Sequence, residues 1–173
     1  MKKFMIILFG LILVFSMAGC GAETAPEDQA TEESKVQLAN PYITCDDIQM
    51  MEKLAGMKAD LPGNLPAWAT ETIYRTIPEE LIEVIYAGEG NEIRVRIAEG
   101  TGDISGVYDS DPGEEVDVSV GENTVHLKGV TGEDGTFLVF VSTWLGNNGR
   151  TYSVTSTKGV PQETLVEILK EIR

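Results

Sequence analysis

The chain has 173 residues, 42% of them hydrophobic and 24% charged, which is room for one globular domain plus whatever the ends subtract. Its 28 acidic against 13 basic side chains give a formal charge of -15 at pH 7. Such a surface repels nucleic-acid phosphate and anionic headgroups, so a basic groove reading DNA or RNA is excluded, while cationic partners remain. The same charge keeps an exported domain soluble and monomeric.

The first element is a leader. Met1, Lys2 and Lys3 precede an uncharged stretch from Phe4 to Gly19, the layout of a secretory signal. The stretch is shorter than the roughly 18 residues of a spanning helix, and acids rather than a basic stop-transfer cluster follow it. Its end, SMAGC, resembles the bacterial lipobox, in which small residues precede a cysteine that is acylated and becomes the mature N-terminus. Met17 departs from the leucine usual at that place, while Ala18, Gly19 and Cys20 fit. The resemblance implies a signal peptide over 1–19 and a lipid anchor on Cys20, since two or more acyl chains hold a protein on a bilayer where one does not. The segment up to residue 39 carries Glu23, Glu27, Asp28, Glu32 and Glu33 against one Lys35 and no aromatic residue, so it reads as an acidic tether. A coil of that length spans about 25 Å.

From Asn40 the composition turns globular, and 40–173 reads as one extracytoplasmic domain without internal repeats. Thr44 followed by Cys45, Asp46 and Asp47 predicts a capped helix start, with Ile48, Met51, Leu54 and Ala55 at helical spacing and Gly56 as its stop. Met57 to Thr70 is punctuated by Pro and Gly and reads as extended loop. Glu71–Ile77 is a candidate strand. Leu81–Ala87 and Glu92–Ala98 flank GEGN as a hairpin, with Ile93, Val95 and Ile97 on one face and Arg94 and Arg96 on the other, wet face. Glu115–Val120, Asn123–Val130, Thr136–Trp144 and Arg150–Ser156 continue the meander. Last, Leu165, Ile168, Leu169 and Ile172 fall at i, i+3, i+4 and i+7 behind Pro161, an amphipathic helix. The expected fold class is α+β: an antiparallel meander sheet, wet on one face, with an N-terminal and a C-terminal helix packed on the other.

NPYITCDDIQMMEKLAG from Asn40, IRVRIAEGTGDISGVYDS from Ile93, and the Tyr-Ser-Val strand from Tyr152 leading to a last helix resemble a domain-of-unknown-function family. That family occurs in lipoproteins of clostridia-like Gram-positive bacteria and in extracytoplasmic parts of some anti-sigma factors. The resemblance implies a non-enzymatic extracytoplasmic module and brings no catalytic residues with it.

Weighed for chemistry, the single histidine, His126, falls with Thr124 and Lys128 on the wet face of a strand, where a triad or a multi-histidine zinc site is not built. Cys45 has acidic neighbours and no partner thiol, so it reads as a sheltered residue rather than a nucleophile. DSDPGEE, Asp109 to Glu115, tempts as a calcium loop, yet Gly113 and Val120 fall at the wrong positions for an EF-hand, and turn chemistry accounts for the cluster. EGTGDISG, Glu99 to Gly106, lacks a P-loop lysine and reads as a flexible loop. Asp103 and Tyr108 in this region, with Trp144 at a strand end, are the candidate ligand contacts; no catalytic residue, metal or cofactor is expected. The chain is therefore expected to be a membrane-anchored, non-catalytic binding or sensing domain with an unknown cell-surface ligand or protein partner. The alternatives are a carrier of an apolar ligand and a carboxylate-dependent cell-wall hydrolase.

Overall fold

The computed structural model describes residues 40–108 and 113–172. Cys20, the acidic stretch 21–39 and Asp109 to Pro112 of the DSDPGEE loop lie outside the described residues. A short strand, β1 (Ile43–Cys45), leads into helix α1 (Ile48–Ala55). The cap of α1 is Asp47, whose Oδ1 accepts the Met50 N–H at 2.7 Å, and Gly56 closes the helix in the left-handed region at φ 71°. Thr44, expected as the cap, instead pairs with Arg75 in the sheet.

Seven further strands follow: β2 (Glu71–Ile77), β3 (Leu81–Gly88), β4 (Asn91–Glu99), β5 (Glu114–Val120), β6 (Asn123–Thr131), β7 (Phe137–Leu145) and β8 (Arg150–Pro161). They form one eight-stranded antiparallel sheet in the order β1-β2-β3-β4-β8-β7-β6-β5. Helix α2 (Gln162–Leu169) is the last element. The β3–β4 hairpin closes through Glu89 and Gly90, both at positive φ (50° and 70°), as a two-residue turn of the primed type that suits strand twist.

Three expectations are corrected here. The fold is mostly β, not α+β, because the helices amount to two eight-residue elements beside the eight-stranded sheet. The periodic stretch at the C-terminus overstates its helix: Ile172, counted as its fourth apolar position, lies beyond the helix end yet is still buried. Nor is the sheet a single meander. Its halves β1–β4 and β5–β8 are each meanders, joined where β8 inserts beside β4, so the β4–β5 connection must pass from the middle of the sheet to its far edge.

The apolar faces of the strands feed one core. Ile82, Val84 and Tyr86 of β3, Ile93, Val95 and Ile97 of β4, Val125 and Leu127 of β6, and Tyr152 and Val154 of β8 meet Met51 of α1 and Leu165, Ile168 and Leu169 of α2. Each large aliphatic side chain buried there contributes about 1.5–3 kcal/mol. Successive strand residues point to opposite faces, so the residues between these make up a second, chemically different surface.

Candidate functional site

Strand register puts a polar row across that second surface. Thr44, Arg75, Glu83, Arg96, Ser153, Thr143, His126 and Asp117 are neighbours in turn from β1 to β5. Two residues along, Arg94, Thr155, Val141, Lys128 and Glu115 form a second row from β4 to β5 on the same face.

Glu83 is fully buried, and its charge is answered from both sides. Its Oε2 accepts from Nε and Nη2 of Arg96, each at 2.7 Å, and its Oε1 lies 3.2 Å from Nε of Arg75. The Arg75 guanidinium carbon in turn sits 4.3 Å from the centroid of the Tyr42 ring. Burial, with Glu83 nearby, pushes the Tyr42 hydroxyl above its ordinary pKa. Arg96 also reaches away from Glu83, and its Nη1 donates to the carbonyls of Ile104, at 3.1 Å, and Ser105. The guanidinium thereby holds the first part of the β4–β5 connection against the sheet. Gly106, at φ 65°, lies so close to that guanidinium that a Cβ would collide with it, so the backbone conformation and the close approach both call for glycine.

Between this connection and the strands lies a cleft of about 880 Å³, a volume within the range of small-molecule sites. Glu92, Arg94 and Arg96 form the β4 wall, and Glu115, His126 and Lys128 form the β5–β6 wall. Thr143, Val141 and Thr155 floor it, and Asp103, Ser105 and Val107 cover it from the connection. Arg94 donates Nε and Nη2 to Glu92 Oε2 at 3.2 and 2.7 Å. Lys128 Nζ meets Glu115 Oε1 at 2.8 Å, which holds that carboxyl below the ordinary glutamate range. His126 stands between two carboxylates, with Nδ1 2.8 Å from Asp117 and Nε2 3.5 Å from Glu115. Because the carboxylates address opposite ring nitrogens, they grip the imidazole rather than converge on a shared metal position, and no metal-binding group of three such side chains occurs among the described residues.

The three candidate contacts part company here. Asp103 lines the cleft; its Oδ1 accepts the Ser105 N–H at 2.9 Å, and that bond draws its carboxyl below the usual aspartate value. Tyr108 is 97% exposed at the edge of the described segment. Trp144 lies on the opposite, apolar face, buried and stacked on Tyr152 with centroids 5.0 Å apart, because its register partner Tyr152 belongs to the core. Cys45 is also in the core, with its thiol pushed up by burial and by Asp46 and Asp47. The space between sheet and helices, where an apolar ligand would have to sit, is filled by Met51, Leu165, Ile168 and Leu169.

No sequence motif singles out Glu83, Arg94, Arg96, Glu115 or Lys128 as a group. Strand alternation assigns Arg94 and Arg96 to a wet face, whereas Arg96 is buried beneath the β4–β5 connection. Among the described residues no helix is long and apolar enough to cross a membrane. No protein-family model, curated protein or solved structure matches the chain.

Proposed function

We propose that the protein is a membrane-anchored extracytoplasmic lipoprotein whose domain binds a ligand at the cell surface without catalysis, and that the cleft over the polar sheet face is its binding site. The observation that carries this is the cleft itself, walled by charged side chains from strands that are not neighbours, under a connection clamped in place by Arg96. Pre-arranged ion pairs around an open volume suit recognition, because their side chains are already ordered before a ligand arrives. The lipobox-like SMAGC and the acidic segment after it support a position just outside a bilayer. The single imidazole is engaged by two carboxylates, and the Cys45 thiol is on the other face of the sheet, so neither supports a nucleophilic mechanism.

Two measurements test this. Cys20→Ser should move the protein from the membrane fraction to the soluble one, and equal retention by membranes would refute the anchor. Solubilised cell-envelope fragments added to the isotope-labelled chain should shift the amide resonances of Arg94, Lys128 and Thr155. Shifts confined to other surfaces, or turnover of any fragment, would refute binding at the cleft.

A further inference from the structure

The cleft is electrically balanced in a chain that is not. Leaving His126 aside, its lining holds the carboxylates of Glu92, Asp103 and Glu115 and the cations of Arg94, Arg96 and Lys128, three against three, while the whole chain carries -15. Each charge is already engaged. Arg94 holds Glu92, Lys128 holds Glu115, Arg96 is turned onto the buried Glu83, and Asp103 accepts the Ser105 N–H. A ligand of either net charge would meet a repelling group beside each attracting one. A neutral ligand leaves the pairs intact, yet an apolar one would strip water from them without replacing its hydrogen bonds.

The floor between the two pairs is short of partners. In register, Thr155 lies between Arg94 of β4 and Val141 of β7, and Thr143 stands one diagonal step away beside His126. Thr155 is only 8% exposed, and neither its hydroxyl nor that of Thr143 has a hydrogen-bond partner among the described residues. A hydroxyl so buried is ordinarily bonded, so its partner comes through the cleft that it lines. On the β4 wall, Arg94 spends Nε and Nη2 on Glu92 Oε2, which leaves Arg94 Nη1 and Glu92 Oε1 as a donor and an acceptor side by side.

A hydroxyl donates and accepts from a single atom, so it can give its proton to Glu92 while taking one from Arg94; an amide separates the two functions and must be oriented for each. The lining also holds one aromatic ring. Phe140, half-buried where the β7–β8 register shifts, lies against Gly159, with Val130 alongside in the cleft wall. The negative face of such a ring suits the C–H face of a sugar, whose hydroxyls then radiate toward the surrounding polar groups. We infer that the cleft takes an uncharged carbohydrate, a short glycan whose hydroxyls are shared among Thr155, the Arg94–Glu92 pair and the Lys128–Glu115 pair, with one ring resting on Phe140. This rests on the cleft being the binding site. Arg94 and Lys128 stand three strands apart, roughly 14 Å between backbones at about 4.8 Å per strand, a gap that their inward-reaching side chains narrow to the scale of a few linked rings.

The test is calorimetric titration of the full-length chain with cellotriose, maltotriose and the trimer of N-acetylglucosamine, beside the trimers of galacturonate and glucosamine as anionic and cationic counterparts. A neutral trisaccharide should bind, with the same affinity at low and high salt, because no new ion pair forms on binding. The charged trimers should bind about tenfold more weakly or not at all. Thr155→Val should weaken the neutral sugar about fivefold to tenfold, the worth of one hydrogen bond, without lowering the melting temperature, since the deleted hydroxyl has no partner in the free protein. Phe140→Leu should weaken it too, but Phe140 also packs on Gly159, so Thr155→Val is the decisive variant. A charged trimer that binds as tightly as the neutral ones, or unchanged affinity in Thr155→Val, overturns the inference. Should no trisaccharide bind while envelope fragments still shift the cleft resonances, the carbohydrate falls and the binding site stands; should nothing shift the cleft, both fall.

Discussion

Glu83→Gln isolates the buried ion pair. The substitution keeps the shape of the side chain and removes the one charge that answers Arg96, whose side chain is only 10% exposed. Removing one partner of a buried, hydrogen-bonded pair leaves the other charge desolvated and costs about 3–5 kcal/mol. Arg75 adds little, because at 23% exposure it can turn toward water. For a domain of this size the loss corresponds to a melting temperature lower by about 10–20 °C. Urea denaturation at neutral pH measures it, with unchanged m-value as the sign that the same surface unfolds. The double variant Glu83→Leu with Arg96→Met should recover part of the loss, since no unpaired charge is left behind. It removes the guanidinium that holds Ile104 and Ser105, so amide exchange at Ser105 and Val107 should be fast in the double variant. A Glu83→Gln penalty below about 1 kcal/mol, or a double variant as unstable as the two single changes added together, would refute this account of the buried row.

Three further outcomes are expected. Cys45, raised above its ordinary pKa by burial and two neighbouring acids, should react with a thiol reagent at neutral pH far more slowly in the native protein than in urea; equal rates would contradict its place in the core. Trp144→Ala should cost about 3–5 kcal/mol through the cavity left beside Tyr152 and leave cleft titrations unchanged; a stable variant with altered ligand binding would reverse the assignment of faces. Asp103 has a folded pKa below its ordinary 3.8, so the order it gives the connection is present above that value and is lost as pH falls through the lower folded value. Exchange at the Ser105 amide should therefore accelerate in acid below about that pH in the parent and be fast already at neutral pH in Asp103→Ala; protection at Ser105 that is unchanged by the substitution would show that the carboxylate does not hold the loop.

Legibility follows distance along the chain. The β3–β4 hairpin is readable from GEGN and its alternating flanks, and counting outward from a two-residue turn even places Glu83 opposite Arg96. That step needs the turn type, which Glu89 and Gly90 at positive φ supply. By contrast, the meeting of Arg96 with Ser153, and so with Thr143 and His126, depends on β8 lying beside β4. No local pattern encodes a contact between strands so far apart in sequence; a continued meander is the simpler expectation. Trp144 misleads for a related reason, since a strand end before a Gly-Asn turn looks exposed until its register partner proves to be a core tyrosine. Asp103 is legible because a short acid in a glycine-rich loop bonds its own backbone two residues on, a local event.

The two sheet faces also explain why an acidic protein keeps its buried charges where it does. An antiparallel sheet with helices on one side ordinarily leaves the other side to water. Here the route from β4 to the far edge lays residues 102–107 over that side, so the middle strands lose solvent on both faces. An apolar pair at 83 and 96 would suit such burial at least as well on energetic grounds. It could not reach the carbonyls of Ile104 and Ser105, whereas Arg96 can, and Glu83 makes the buried guanidinium tolerable. The ion pair is thus tied to the clamp, and the clamp to the cleft roof. Replacing the pair with well-packed apolar residues should therefore preserve the fold while releasing the loop that covers the site.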